Sequence, residues 1–160
     1  MIRETIFNLI GQDATGLEVL DLFAGTGSLG IEALSRGASR AVFIDNSTSS
    51  INIIKKNLKL CGFDRSGFIL KRDLRQGLSI NHPSFGKTFD LIFIDPPYGK
   101  DLIPDTLTEL SINMVPNPSS IIVAESLKED KLPVRMGSIN LFDERTYGST
   151  KLSIYKSEET

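Results

Sequence analysis

The sequence predicts an α/β fold: a mostly parallel seven-stranded sheet with helices on both faces and an antiparallel hairpin at its C-terminal end. Three observations predict it. Apolar runs of strand length alternate with amphipathic helical stretches as far as Glu125, a glycine turn joins the first run to the helix after it, and beyond Glu125 the helical periodicity stops.

Along the chain, Ile2, Ile6, Leu9 and Ile10 recur at helical spacing and the segment stops at Gly11, so a short amphipathic helix opens the chain. Glu18-Val19-Leu20-Asp21-Leu22-Phe23 is the first strand. Ala24-Gly25-Thr26-Gly27 breaks it, and Ser28 is placed to cap a helix running through Leu29, Ile31, Ala33 and Leu34 to Gly37. Ala41 to Asp45 is the second strand, Ser47 to Leu60 a long helix and Gly67 to Asp73 the third strand. A short helix from Leu74 to Ile80 and a polar loop with His82 and Pro83 precede the fourth strand, Phe89 to Ile94. A helix from Ile103 to Met114 leads to the fifth, Ser120 to Glu125. Ile139 to Arg145 and Lys151 to Tyr155 flank Tyr147-Gly148-Ser149-Thr150 as a hairpin. Right-handed crossovers put helices on both faces of such a sheet, and ligands gather beyond the carboxyl ends of its strands, where the strand order reverses.

With 160 residues, 40% hydrophobic and 24% charged, the chain is expected to be one domain, residues 1–160. A net charge of −2 excludes a whole-molecule basic field, so a nucleic-acid substrate would need a local patch. The single cysteine, Cys61, excludes an internal disulfide and a cysteine-based metal cluster, and fits a reducing compartment. No apolar run approaches membrane-span length and the first residues lack a signal pattern, so the expected setting is cytoplasmic, without membrane or metal. Cys61 is assigned to the core at the end of an apolar helix face. His82 and the basic face of Lys55, Lys56 and Lys59 are assigned to solvent.

Gly25-Thr26-Gly27-Ser28-Leu29-Gly30 matches G-x-G-x-x-G between a strand and a helix, with Asp45 twenty residues beyond Gly25. Glycines let backbone N–H groups approach a ligand, and an acidic residue ending the second strand can accept both ribose hydroxyls of an adenosine. The pattern therefore signals a nucleoside. Asp21 and Asp95 tilt the choice away from a pyrophosphate, which they would repel, toward a ligand with positive centres. S-adenosyl-L-methionine (SAM) fits, with a sulfonium and an ammonium. Asp21 pairs with that cation, bonds the loop backbone, or does both; Asp73 either accepts an adenine amino group or caps the next helix.

Asp95-Pro96-Pro97-Tyr98 follows the apolar run of the fourth strand. The carboxylate and a carbonyl held in direction by two prolines are acceptors for the two N–H groups of a planar amine, and the tyrosine ring can stack on its conjugated face. The bland alternative is a turn after a buried strand.

Leu20-Asp21-Leu22-Phe23-Ala24-Gly25-Thr26-Gly27-Ser28-Leu29-Gly30-Ile31-Glu32-Ala33-Leu34-Ser35-Arg36-Gly37-Ala38, together with Asp95-Pro96-Pro97-Tyr98, resembles the bacterial 16S ribosomal RNA guanine-N2 methyltransferases. Arg3-Glu4-Thr5-Ile6-Phe7-Asn8 is similar to that family's opening helix, and Tyr147-Gly148 with the closing strand to its final hairpin. The resemblance implies a Rossmann-like class I SAM-dependent methyltransferase. It implies that Asp21, Phe23, Ala24, Gly25, Thr26, Gly27, Ser28, Asp45, Asn46, Asp73 and Leu74 hold SAM. Asp95, Pro96, Pro97 and Tyr98 hold the target guanine and carry the chemistry. Arg145 and Lys151, flanking the hairpin turn, either contact RNA phosphates or are solvated. Family members carry a basic segment before the opening helix, which is expected to be absent here, putting RNA affinity rather than chemistry in question. The expected partner is ribosomal RNA or the small ribosomal subunit, and the expected state a monomer.

Guanine N2 is a poor nucleophile because its lone pair is delocalised, so the expected role of Asp95 and the Pro96 carbonyl is to localise that pair toward the methyl donor. The same clamp suits DNA adenine or a protein glutamine amide, although 160 residues leave no room for a DNA target-recognition domain. A non-catalytic SAM- or RNA-binding module and a nicotinamide dehydrogenase are the rivals from other classes; the intact Asp95 and Tyr98 argue against the first, Asp21 and Asp95 against the second.

Overall fold

The computed structural model describes residues 2–78, 88–99, 101–113 and 115–158. Helix α1 (Ile2–Ile10) buries Ile6 and Phe7 and stops at Gly11, whose φ of 113° suits glycine. Strand β1 (Glu18–Leu22) runs through the glycine turn into α2 (Ser28–Ser35). Next come β2 (Arg40–Asp45), α3 (Thr48–Cys61), β3 (Gly67–Lys71) and a 3₁₀ turn, Leu74–Gln76. Strand β4 (Phe89–Ile94) and helix α4 (Leu102–Ile112) lead to β5 (Pro116–Leu127), the two-residue β6 (Arg135–Met136), β7 (Ile139–Tyr147) and β8 (Thr150–Ser157).

The strands form one sheet in the order β3-β2-β1-β4-β5-β8-β7-β6. The first five are parallel to their neighbours, and β8, β7 and β6 are antiparallel additions. The chain winds outward from β1 through β2 to β3, then returns to place β4 on the other side of β1. The carboxyl ends of β1 and β4 therefore diverge at the switch point, where a crevice opens.

Alternation along the strands divides the core in two. Val19, Ala41, Phe43, Leu91 and Phe93 pack against α1, α2 and α3, while Leu20, Leu22, Val42, Ile44, Ile92 and Ile94 pack against Ile103, Leu107 and Leu110 of α4. Burying each such side chain contributes roughly 1.5–3 kcal/mol. Phe7 meets Phe93 edge-on at 5.9 Å, and the Arg36 guanidinium lies 4.5 Å over the Phe7 ring, which fastens α1 to the body.

Among the described residues the sheet has eight strands rather than the expected seven. The extra strand, β6, turns at Gly137 (φ 59°) to pair Arg135 with Asn140 and Met136 with Ile139, and two residues are too few to show a periodic pattern. Strand β5 begins at Pro116, ahead of the expected Ser120; its register shifts between Phe89 and Leu91, with Ser119 at φ 69°, and two prolines mask the strand pattern. Ser28 is the first residue of α2, not its cap. Gly27 holds the capping position at φ 78°. The helix expected from Leu74 is a single 3₁₀ turn ended by Gly77; residues 79–80 of its expected span, His82 and Pro83 lie outside the described residues, as does the expected helix end at Met114. Cys61 is exposed, not core, because Leu58 is the last residue of the Ile51, Ile54 and Leu58 face to be buried.

Candidate active site

A cavity of about 520 Å³ occupies the crevice. Phe23 and Gly25 after β1, Asp45 and Asn46 after β2, and Asp73 and Leu74 after β3 line one side of it. Asp95, Pro96 and Pro97 after β4 line the other, with Leu102 at the start of α4. Residues from the ends of four parallel strands thus converge, as the topology requires.

The three glycines of the turn do different work. Gly25, at φ 60°, lines the cavity, and a Cβ built there meets nothing within 4 Å. Gly27 and Gly30 are packed instead. A Cβ on Gly30 would lie 2.4 Å from Cε1 and 2.8 Å from Cζ of the buried Phe43, and 3.2 Å from Asp21 Oδ2. Phe23 takes φ 58°, a strained conformation for an aromatic residue, as the chain swings from β1 into the turn.

Asp21 is only 1% exposed and does not line the cavity. Its Oδ2 accepts the Gly30 N–H at 3.0 Å, tying β1 to the first turn of α2. Asp21 thus takes the backbone-bonding role expected of it, its carboxyl lying beneath the loop. Burial pushes it up to about 7, opposed by the Gly30 bond and reinforced by the negative charge of Asp45. Asp45 does reach the cavity. Its Oδ2 accepts Gly25 N–H at 2.9 Å and its Oδ1 accepts Ser47 N–H at 3.0 Å, leaving each oxygen a further lone pair.

Asp73 caps the 3₁₀ turn by accepting Arg75 N–H at 3.0 Å, and the Arg75 guanidinium grips it with bonds of 3.0 and 2.8 Å. Those bonds hold its carboxyl below the usual carboxylate range. Both Arg72 and Arg75 line the cavity, which the sequence reading missed; Arg72 is anchored by the Gly77 and Gln76 carbonyls at 3.1 and 2.9 Å. The run Lys71-Arg72-Asp73-Leu74-Arg75 carried that signal.

Ala24, Thr26, Gly27 and Ser28 shape the loop without lining the cavity. Ala24 N–H reaches the Ile44 carbonyl, Gly27 N–H the Ala24 carbonyl, and the Thr26 carbonyl accepts from Asn57. Ser28 faces a separate hollow with Asn57 and Phe63.

Asp95 sits at the other lip. Burial pushes its carboxyl up to about 8, aided by a hydrogen bond with Glu125 and by the charges of Glu125 and Asp21. Tyr98, 49% exposed, turns its ring outward, with its hydroxyl 3.5 Å from Glu125 Oε1. Glu125, in β5, is a site residue that the sequence reading passed over. No short motif marks it; only the register of β4 and β5 brings it to Asp95.

The hairpin residues part company. Arg145 is exposed beside Asp143 at 3.0 Å. Lys151 is 9% exposed, with Nζ 3.2 Å from Glu144 Oε2 and bonded to the Asp130 carbonyl. Its expected phosphate contact is corrected, since the ammonium is turned inward and paired. Among the described residues no three His, Cys, Asp or Glu side chains cluster to hold a metal ion, and no helix is long and apolar enough to cross a membrane.

Comparison with known proteins places these features in a family. The family described as Conserved hypothetical protein 95 matches residues 1–156. The Bacillus subtilis protein YlbH, provisionally named an rRNA methyltransferase, is 36% identical over 157 residues, 97% of this chain and 84% of its own. Ribosomal RNA small subunit methyltransferase D of Haemophilus influenzae is 32% identical over 158 residues, 98% of this chain and 80% of its own. A solved Escherichia coli structure, provisionally titled a methyltransferase, superposes with a TM-score of 0.87 at 28% identity, over 99% of this chain and 86% of that one. With its eight-stranded, Rossmann-like methyltransferase sheet, the chain belongs to the Conserved hypothetical protein 95 family, the family of ribosomal RNA small subunit methyltransferase D.

Proposed function

We propose that this chain is a SAM-dependent RNA methyltransferase acting on the exocyclic N2 amine of a guanine in small-subunit ribosomal RNA. The observation that carries the reading is the convergence, in one crevice, of Gly25, Asp45 and Asp73 after β1, β2 and β3 with Asp95, Pro96 and Pro97 after β4. The relatives' names supply the RNA.

The residues present fit SAM. Gly25 leaves open space against the cavity, so its backbone can approach a ligand. Asp45 has a free lone pair on each oxygen for two ribose hydroxyls, and the apolar faces of Phe23 and Leu74 can bracket a base. The volume suits a ligand of this size. Asp73, already gripped by Arg75, keeps one lone pair, on Oδ2, for an adenine amino group. When bound, SAM supplies a methyl group activated by a sulfonium.

Asp95 and the Pro96 carbonyl would accept the two N–H bonds of the amine, drawing its lone pair out of conjugation. Charge developing on nitrogen is then met by Asp95, which favours the transition state over the neutral amine. Tyr98 is exposed where an extruded base would stack, a contact of about 1–3 kcal/mol. Arg145, exposed on the hairpin, remains a candidate for phosphate.

Transfer of labelled methyl from SAM to unmodified small ribosomal subunits, followed by nucleoside analysis, tests the reading. N2-methylguanosine is the expected product. Label recovered only in adenine of DNA or in protein glutamine overturns the guanine assignment, and SAM binding with no transfer to any acceptor overturns the enzyme.

A further inference from the structure

Asp95 and the Pro96 carbonyl can accept the two N–H groups of any planar amine, so adenine, cytosine and a glutamine amide fit that clamp as well as guanine does. What stands beside the clamp decides between them. In the register of β4 and β5, Ile94 pairs with Ala124, so the residues that follow, Asp95 and Glu125, are neighbours at the strand ends. Glu125 Oε1 accepts from the Tyr98 hydroxyl at 3.5 Å, and Glu125 borders a small hollow that Pro96, Pro97 and Tyr98 also line. Pro96 and Pro97 line the main cavity as well, so the diproline is a partition between the two spaces.

Glu125 is half-buried, and among the described residues no lysine or arginine forms an ion pair with it. The ammonium of Lys151, whose register partner is the next residue, Ser126, is taken up by Glu144 and the Asp130 carbonyl. One long bond from Tyr98 leaves the Glu125 carboxyl with most of its acceptor capacity unused.

We propose that Glu125 selects guanine, its carboxyl accepting the ring N1–H of the target base while Asp95 and the Pro96 carbonyl hold the N2 amine; this rests on the methyltransferase reading. Guanine is the one standard base whose exocyclic amine adjoins a ring N–H. The adenine amine adjoins N1 and the cytosine amine adjoins N3, and both of these nitrogens are bare acceptors. Either would set a lone pair against the Glu125 oxygens, leaving two acceptors facing each other without a proton between them. A glutamine side chain fails in the same way, because a carbonyl stands beside its amine. Guanine instead brings three donors to three acceptors: Asp95, the Pro96 carbonyl and Glu125. The bond from Tyr98 keeps that third acceptor next to the ring on which the base stacks, so one pair of side chains sets both the plane and the edge of the base.

Small ribosomal subunits rebuilt with RNA that carries either guanine or 2-aminopurine at the methylated position test the proposal. 2-Aminopurine keeps the 2-amine but has a bare N1. The wild-type protein should prefer guanine by about a hundredfold in kcat/KM. In Glu125→Gln, whose amide can turn either its oxygen or its N–H toward the ring nitrogen, that preference should shrink by about tenfold or more, and Glu125→Ala should show the same loss. Equal use of the two bases by the wild-type protein overturns the proposal, whether or not the variants fold. So does a slower reaction of the variants on both bases with an unmoved ratio, which marks a merely structural contact. Transfer to guanine N2 with that unmoved ratio leaves the methyltransferase reading standing, whereas a wild-type protein that transfers no methyl to the guanine subunits sinks the reading and the selection together.

Discussion

The two halves of the crevice handle acidic side chains in opposite ways. On the glycine-loop side, Asp21 and Asp45 are each held by backbone N–H donors: Gly30 for the first, Gly25 and Ser47 for the second. On the clamp side, Asp95 faces another carboxyl, Glu125. The first half is a scaffold whose shape is set before any ligand arrives, and its bonds orient the loop. The second half is chemically poised, because a carboxyl pushed up to about 8 gains most when a positive centre or an N–H donor comes close. In the proposed enzyme, fixed binding geometry and responsive chemistry would thus be separated by the two sides of one switch point.

The sharpest way to break that contrast is to remove Asp95. Asp95→Ala should cut methyl transfer by roughly a hundredfold to a thousandfold, as loss of a transition-state partner does, with SAM affinity within a few-fold by calorimetry. Comparable losses of binding and rate would mean that the halves are not separate. The glycine loop offers the reverse experiment. Gly30→Ala drives a methyl group into the buried Phe43 ring and should cost about 1–3 kcal/mol of stability, read as a lower denaturant midpoint. Gly25→Ala has open space around it and carries only the strain of its positive φ, about 1–2 kcal/mol, but should weaken SAM binding more than it lowers stability. Equal effects of the two substitutions on ligand binding would erase the division between packed and ligand-facing glycines.

Tyr98→Ala should reduce use of the RNA substrate by about 1–3 kcal/mol while leaving the unfolding midpoint nearly unchanged, since the ring is half exposed. A large loss of stability would recast it as structural. A separate test is the pH dependence of stability. Asp21 and Asp95 have folded-state values raised to about 7 and about 8, above the ordinary carboxylate value of the unfolded chain. The folded state therefore binds more protons between about pH 4 and pH 8, and the contribution of these two groups to stability is full below that window and lost as pH rises through it. Urea midpoints for wild type and Asp95→Asn should diverge as pH climbs toward 8, with the wild type falling more steeply. Parallel profiles would place the raised carboxyl elsewhere.

Much of this was legible before any coordinates, for a physical reason. The parallel strands are continuous apolar runs ended by Gly25, Asp45, Asp73 and Asp95, and strand ends are where an α/β sheet places its ligands. What stayed hidden depends on partners distant in sequence. The pairing of Asp21 with Gly30 N–H is one case, because it is set by the packing of α2 on Phe43. Lys151 looked like a surface cation flanking a turn, yet β8 lies between β5 and β7, so its ammonium turns toward Glu144 and the Asp130 carbonyl. Glu125 had no motif at all. Its role exists only through the register of β4 and β5, which apolar runs of equal character leave undetermined.

The proposed activity requires one crevice to hold SAM on its glycine-loop side and to activate a guanine amine on its Asp95 side. Single-turnover transfer of labelled methyl from pre-bound SAM to unmodified small ribosomal subunits, run on wild type and Asp95→Asn at matched SAM occupancy, tests it most directly. Label on guanine N2 is expected with wild type and almost none with Asp95→Asn. Equal transfer by both proteins, or label at any other acceptor atom, would contradict it.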